Sequence, residues 1–311
     1  MDFLYIAIGL VLLIVGGNWL LKSAIGFSLR LQIPRIVIGM TIVSFATSAP
    51  ELIVSLKSAL QGHADLAMGN VIGSNIANLA LVLGVTVLLS TIQVNKSFFS
   101  TDWPMMLFAS LLLYVFIVFD GVLQSYEGFI LFAVLLVFLV YLLKFQKNVV
   151  LDDLLEQDGE LSLYMALFFL AIGGLSLWAG SELLISGAVG LAEKFNVSQR
   201  IIGVSIVSVG TSIPELSASI IAVLKKEKAI SLGNLLGSNI FNILAVLGLT
   251  SMVQPIYIID KGLIDSDIYW MLGISILIFP LSFLFKKRTF GKVEGLILLS
   301  VYILFLYGML A

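Results

Sequence analysis

Glu51 and Glu215 each close a short run of hydroxyl residues and a proline, TSAPE at 47–51 and TSIPE at 211–215, inside stretches that are otherwise apolar. Carboxamides and another serine follow each run, in GNVIGSNIAN at 69–78 and GNLLGSNIFN at 233–242. The copies keep one ungapped spacing, 51 to 215 and 78 to 242, which is 164 positions in both cases. Carboxylates, hydroxyls and carboxamide oxygens are hard ligands. The chain has no cysteine and a single histidine, His63, so disulfides, thiolate metal sites and thiol nucleophiles are excluded. An all-oxygen set suits Ca2+, which takes roughly 6–8 oxygens at about 2.3–2.6 Å, and also Na+ of similar size. It disfavours zinc and copper, and Mg2+ gives up its waters reluctantly.

Pro50 and Pro214 fall in mid-stretch. Each lacks an N–H and clashes with the carbonyl four residues back, at Ala46 and Gly210, so a helix must kink or break there. The break leaves carbonyls around 44–46 and 208–210 in need of a donor, water or a cation. Ser48 with Glu51, and Ser212 with Glu215, also stand at capping-box spacing, so each new helix start carries its own cap. Capping explains one copy comfortably. It does not explain two carboxylates at matching depth in apolar stretches, where an ionisable residue costs roughly 2.5–3.5 kcal/mol and usually marks an ion pathway. Both roles can hold at once. Asn70, Ser74 and Asn78 recur every fourth residue and line one helical face, as do Asn234, Ser238 and Asn242. Asn75 and Asn239 point about 100° away, toward a neighbouring helix or its broken backbone. Gly69, Gly73 and Gly84, with their mates, read as close-packing positions.

The elements that carry these residues must sit in a membrane. The 311 residues are 60% hydrophobic and 12% charged, about half the charged fraction of a soluble domain. Mean hydropathy is +1.12. Apolar runs of roughly 20 residues recur along the chain, and open sheets cannot satisfy their backbone in lipid, so the fold class is an all-α integral membrane protein. Punctuation between the runs predicts ten spans, at about 3–24, 34–60, 65–91, 103–120, 122–144, 161–186, 198–224, 229–253, 264–285 and 290–310. The first has Asp2 and no basic leader, and it has a counterpart at 161–183, so it reads as a retained span. With the first span entering from outside, only Lys57, Lys194, Arg200 and Lys261 of the 17 Lys and Arg lie outside. That bias predicts both termini on the outer face. Five spans per copy is an odd number, so the second copy enters from the opposite side. The chain then divides into a first five-helix repeat (1–144), a cytoplasmic acidic linker (145–160) and a second, inverted repeat (161–311). Inverted repeats with paired broken helices predict a secondary transporter with its site near the midplane.

Charge adds a mechanism. With both glutamates ionised the pair carries −2, which one Ca2+, two Na+ or two H+ would neutralise; three Na+ would leave +1. An unloaded doubly negative site is costly to bury, so occlusion should require a full load, and that couples opposite fluxes.

The paired GTSxPE and GSNIxN motifs resemble the α-repeats of the sodium/calcium exchanger branch of the calcium:cation antiporter superfamily, in its prokaryotic two-repeat form, with motifs at 39–86 and 203–250. The likeness runs over essentially the whole chain. It implies exchange of Na+ for Ca2+ by alternating access across a plasma or inner membrane, with the two ions and the lipid bilayer as partners. Catalysis, a cofactor, nucleic acid and an obligatory protein partner are not expected. Residue by residue, the resemblance implies Glu51 and Glu215 as central bidentate Ca2+ ligands. Thr47, Ser48, Thr211 and Ser212 would serve flanking Na+ sites. Ser74, Asn78, Ser238 and Asn242 would complete them, helped by carbonyls at Ser44 and Ser208.

Two departures bear on the ions. Some family members carry an acidic residue where this chain has Asn242; here Asn78 and Asn242 are both neutral, which leaves stoichiometry and K+ dependence open. The first motif also has Ala46 where glycine is commoner. Ca2+/H+ antiport is the nearest alternative, although the hydroxyl-rich runs favour Na+, because proton transport needs no extra oxygens. A passive channel would also line a pore with oxygens, but two inverted carboxylate sites suit alternating access better. An intramembrane protease lacks its motif and its histidine base. His63 reads as a solvated loop residue, Glu182 as a structural hydrogen-bonding group, and Asp102, Asp120, Asp260, Asp265 and Asp267 as interfacial.

Overall fold

In lipid every backbone N–H and C=O must be satisfied within its own segment, so the apolar runs become helices. The computed structural model describes residues 2–145, 161–194, 208–284 and 288–310. The first half comprises α1 (Asp2–Leu31), then a broken span made of α2 (Arg35–Ile38), a π-helical turn (Gly39–Val43), α3 (Ser44–Thr47) and α4 (Ala49–Leu60). Next, α5 (Ala64–Ile76) passes through a π-turn (Ala77–Val82) into α6 (Leu83–Leu89). The half ends with β1 (Ile92–Gln93), a π-turn (Phe98–Asp102) opening α7 (Trp103–Val118), β2 (Val122–Leu123) and α8 (Ser125–Phe145). The second half repeats the order: α9 (Leu163–Lys194), α10 (Ser208–Gly210), α11 (Ile213–Leu224), and α12 (Lys228–Phe241) joined through a π-turn (Asn242–Leu247) to α13 (Gly248–Val253). It closes with β3 (Ile256–Tyr257), a π-turn (Leu263–Asp267) leading into α14 (Ile268–Leu281), β4 (Thr289–Phe290) and α15 (Lys292–Leu310).

Among the described residues, eight helices are long and apolar enough to cross a membrane, and the pair 35–47 and 49–60, bent by 45°, makes a ninth span. The protein is therefore an integral multi-pass membrane protein. Of the ten expected spans, the seventh is described only from Ser208 onward, and the acidic linker lies outside the described residues.

Burial separates the spans into two kinds. In 64–89 and 228–253 the most apolar stretch is 78% buried, against 28–39% in the other long spans. These two, which carry the GSNIxN motifs, form the centre, and the others face lipid.

Inversion is visible in how the halves meet. The first spans of the two halves, α1 and α9, run antiparallel: Asp2 forms an ion pair with Lys194 at one end, and Gly26 faces Leu161 at the other. Their backbones touch at Gly16 and Gly173, where an added Cβ would lie 2.9 Å from the Leu177 nitrogen and 2.8 Å from the Leu20 nitrogen. Only glycine permits that approach. Loop pairing is crossed in the same way. β1 pairs antiparallel with β4, Ile92 opposite Phe290, and β2 pairs with β3, Leu123 opposite Ile256. Loops that pair must share a face, and each pair joins the third loop of one half to the fourth loop of the other.

One aspartate departs from expectation. Asp102 is fully buried at the end of its π-turn rather than interfacial, whereas Asp120, Asp260 and Asp265 are exposed as expected. His63 is exposed. Nearby, Asp65 accepts the backbone N–H groups of Ile259 (2.7 Å) and Asp260 (3.2 Å), tying the start of α5 to the loop after β3.

Candidate cation-binding site

Pro50 and Pro214 do what their rings require. Both sit in the first turn of a new helix, α4 and α11, where a missing N–H is harmless. Glu51 and Glu215 therefore project from first turns, and both side chains are wholly buried. Ser48, three residues before Glu51, reaches the Glu215 carboxylate, so the two copies converge on one place. α4 packs against the π-turn that carries Asn242, and α11 against the π-turn that carries Asn78. Each helix that carries a carboxylate thus packs against the carboxamide-bearing turn of the other half. Both carboxamides sit in π-turns, a geometry that often marks functional positions within helices.

The capping role expected of the serines does not form. Ser48 and Ser212 hold the N-cap positions, yet neither side chain caps its helix. The Ser48 hydroxyl crosses to the other half and donates to Glu215 Oε1 at 3.4 Å. Thr47 and Ser238 bear on the same carboxylate. Ser212 is buried, and its hydroxyl has no partner among the described residues. At Ser48, a hydroxyl spaced for local capping is turned toward the opposite repeat instead.

The remaining hydroxyls pair across the halves. Thr47 Oγ1 lies 3.3 Å from Ser238 Oγ, and its counterpart Thr211 Oγ1 lies 3.2 Å from Ser74 Oγ. Thr47 also donates to Asn234 Oδ1 at 3.2 Å. Asn70 and Asn234 brace their own halves, with Nδ2 donating to Ser55 Oγ at 3.0 Å and to Ser219 Oγ at 3.4 Å.

Ser44 and Ser208 are expected to lend their carbonyls. Ser44 spends its hydroxyl on the carbonyls of Gly39 (2.8 Å) and Asn234 (3.0 Å). Its own carbonyl accepts the Ser48 N–H at 2.9 Å and the Thr47 hydroxyl at 3.4 Å, so the break does not leave it bare. The Ser208 backbone belongs to α10, and its side chain lies outside the described residues. The carbonyl freed by Pro214, that of Gly210, is taken by the Ser181 hydroxyl at 2.8 Å. Glu182, next to Ser181, is exposed on α9.

Among the described residues, six buried oxygens without a hydrogen-bond partner belong to the two copies of the TSxPE and GSNIxN motifs: both of Glu51, Oε2 of Glu215, Oδ1 of Asn78 and of Asn242, and Oγ of Ser212; Ser231 Oγ and Thr250 Oγ1, outside the motifs, also lack one. A buried polar atom left unpaired costs about 1–3 kcal/mol, more if charged, and native structures rarely tolerate a group of them. All six are oxygens and five can only accept, which is a set that a hard cation would satisfy. No grouping of three or more His, Cys, Asp or Glu occurs among the described residues. Two carboxylates amid neutral oxygens are therefore the chemistry present.

A multi-pass helical protein whose antiparallel halves bury paired carboxylates between broken helices belongs to the class of ion transporters. The comparisons narrow the class. The sodium/calcium exchanger protein family profile matches residues 1–144 and 165–311, and the chain belongs to that family; it is a cation/Ca2+ antiporter. It is 39% identical to the putative antiporter CaxA of Alkalimonas amylolytica over 98% of this chain and 97% of that protein. It is 29% identical to the sodium/calcium exchanger MaX1 of Methanosarcina acetivorans, covering 98% and 97% of the two chains. The solved structure of the sodium-calcium exchanger NCX_Mj, soaked with zero Na+ and Ca2+, superposes with a TM-score of 0.83 at 27% identity, covering 97% of each chain.

Asn75 and Asn239 lie against a neighbouring helix, as expected, each donating to the other's carbonyl. What the repeated GSNI core did not reveal is that they also meet the amides of Asn242 and Asn78.

Proposed function

We propose that this protein exchanges Na+ for Ca2+ by alternating access at one site shared by two five-span halves, 1–144 and 161–311, joined by a cytoplasmic linker at 145–160. The observation that carries the reading is that six unpartnered buried oxygens, three of them carboxylate oxygens, fall in the two copies of the motifs. Glu51 and Glu215 hold Ca2+ between them. Thr47, Ser48, Thr211 and Ser212, with Ser74, Asn78, Ser238 and Asn242, supply neutral oxygens to flanking Na+. The pair's −2 charge matches one Ca2+ or two Na+, so the loaded states are the ones that can be buried at low electrostatic cost. The reading needs no cofactor; the transported ions are its substrates. It sets the protein in a plasma or inner membrane with both termini on the outer face.

Reconstitution tests this directly. Proteoliposomes loaded with Na+ and diluted into Na+-free medium should take up radiolabelled Ca2+, whereas vesicles with only an acidic interior should not. The reverse outcome would establish Ca2+/H+ antiport, for which two glutamates beside neutral asparagines also suffice. Uptake down a Ca2+ gradient without any counter-ion would mean a channel. Adding K+ to either side tests co-transport, and valinomycin clamping reports whether net charge moves.

Topology has its own check, helped by the absence of native cysteine. Gln61 and Lys226 are exposed in loops on opposite sides of the broken spans. In whole cells, a membrane-impermeant maleimide should label Gln61→Cys and leave Lys226→Cys unlabelled until the membrane is opened. Labelling in the opposite sense would invert the assigned orientation.

A further inference from the structure

Four asparagines form a closed lattice at the centre of the protein. Asn75 Nδ2 donates to the Asn239 carbonyl at 3.3 Å, and Asn239 Nδ2 donates to the Asn75 carbonyl at 3.4 Å. Asn78 Nδ2 donates to Asn239 Oδ1, and Asn242 Nδ2 donates to Asn75 Oδ1, both at 3.2 Å. All four side chains are buried. The second amide hydrogens of Asn75 and Asn239 face sulfur, Met271 Sδ at 3.7 Å and Met106 Sδ at 3.8 Å.

The lattice has a direction set by chemistry. A backbone carbonyl can only accept, so the amide of Asn239 must turn its nitrogen toward Asn75 and its oxygen away. That oxygen can only accept in turn, so the amide of Asn78 must offer its nitrogen and expose its oxygen. The same two steps run from the Asn239 carbonyl through Asn75 to Asn242. Both end on the oxygens that lack partners, Oδ1 of Asn78 and Oδ1 of Asn242. An unconstrained carboxamide could equally present its NH2, which repels a cation.

We propose that Asn75 and Asn239 are positioning residues that fix the amide orientation of Asn242 and Asn78, so that each presents only its oxygen to the transported cation. The role rests on the reading of Asn78 and Asn242 as ligands given above. It also bears on a chain with neutral residues at both positions. Because their amides are held, they act as fixed acceptors without adding charge, and the fixed charge of the site stays at that of the two glutamates.

Calcium uptake in proteoliposomes tests the lattice through the Ca2+ concentration for half-maximal rate. Asn239→Leu should raise it at least tenfold while lowering the maximal rate much less. Asn78→Ala should raise it by a similar factor, and the double variant should be no worse than Asn78→Ala alone, because both remove the same contact. Asn78→Asp provides a rescue background: a carboxylate offers oxygen in either orientation, so adding Asn239→Leu should not shift its half-maximal Ca2+ further. Effects that multiply in the double variant, or a wild-type affinity in Asn239→Leu, would overturn the proposal. If Asn78→Ala retains wild-type affinity while Glu51→Gln abolishes uptake, the positioning role fails and the two-glutamate site stands. If Glu51→Gln transports normally, the site itself fails. Should Asn239→Leu not fold, Asn239→Ala and the mirror variant Asn75→Leu, read against Asn242→Ala, replace it; failure of all three to fold would make the lattice structural only and defeat the proposal.

Discussion

Glu51→Gln and Glu215→Gln should each abolish Ca2+ uptake while the purified protein remains monodisperse. Glutamine keeps the shape and one oxygen, so packing at these wholly buried positions is preserved. What is lost is one charge of two. At an effective dielectric of about 20, even a unit-charge attraction across about 4 Å is worth on the order of 4 kcal/mol, roughly a thousandfold in affinity, and a divalent ion loses more. The variants also relieve repulsion between two buried carboxylates. In buffer free of Ca2+ and Na+ they should melt at a higher temperature than the parent protein. Added Ca2+ should raise the parent's melting temperature and leave the variants' unchanged, since only a ligand bound to the folded state stabilises it. Near-normal uptake by either variant, or Ca2+-dependent stabilisation that survives in both, would refute the site assignment.

The second large effect is steric. Gly237→Ala should cost about 1–3 kcal/mol through overpacking, read as a lowered melting temperature, and should sharply reduce uptake. Gly237 lies on α12 against the π-turn of the broken span. A Cβ there would stand 2.5 Å from Met40 Cα and 2.7 Å from its carbonyl oxygen, and would run into the Ser44 hydroxyl. Backbone cannot yield as a flexible side chain can. The helix would have to move, carrying Ser238, Asn239 and the Asn242 turn away from Thr47 and Glu215. A Gly237→Ala protein with unaltered melting temperature and transport would show that this contact does not hold the site together.

Much of this molecule was legible because its strongest signals are local. A run of apolar residues becomes a span wherever the rest of the chain goes, since lipid allows the backbone little else. Proline breaks its helix through its own ring, and the 45° bend before Ala49 lies where Pro50 predicts. The antiparallel meeting of α1 and α9 is what an odd number of spans per half, expected from the sequence, would require.

Hydrogen bonds were less legible, because each polar side chain had several chemically equal partners. Ser48 stands at capping spacing and is also expected as a cation ligand; the structure turns its hydroxyl across the interface to Glu215. Periodicity sets Asn75 against a neighbouring helix, where it meets Asn239 from the opposite repeat; that the two also meet Asn242 and Asn78 was not legible in it. The carbonyl assigned to the site at Ser44 is already taken by the Ser48 N–H, an ordinary i to i−4 helical bond that Pro50 does not interrupt.

By itself, the sequence determined which atoms are available: two carboxylates, their hydroxyls and carboxamides, all oxygen, duplicated and inverted within a membrane. Only the tertiary structure decided which of those oxygens face one another and which are consumed in bracing. That choice depends on distances between residues 164 positions apart in the chain, and no local pattern encodes them.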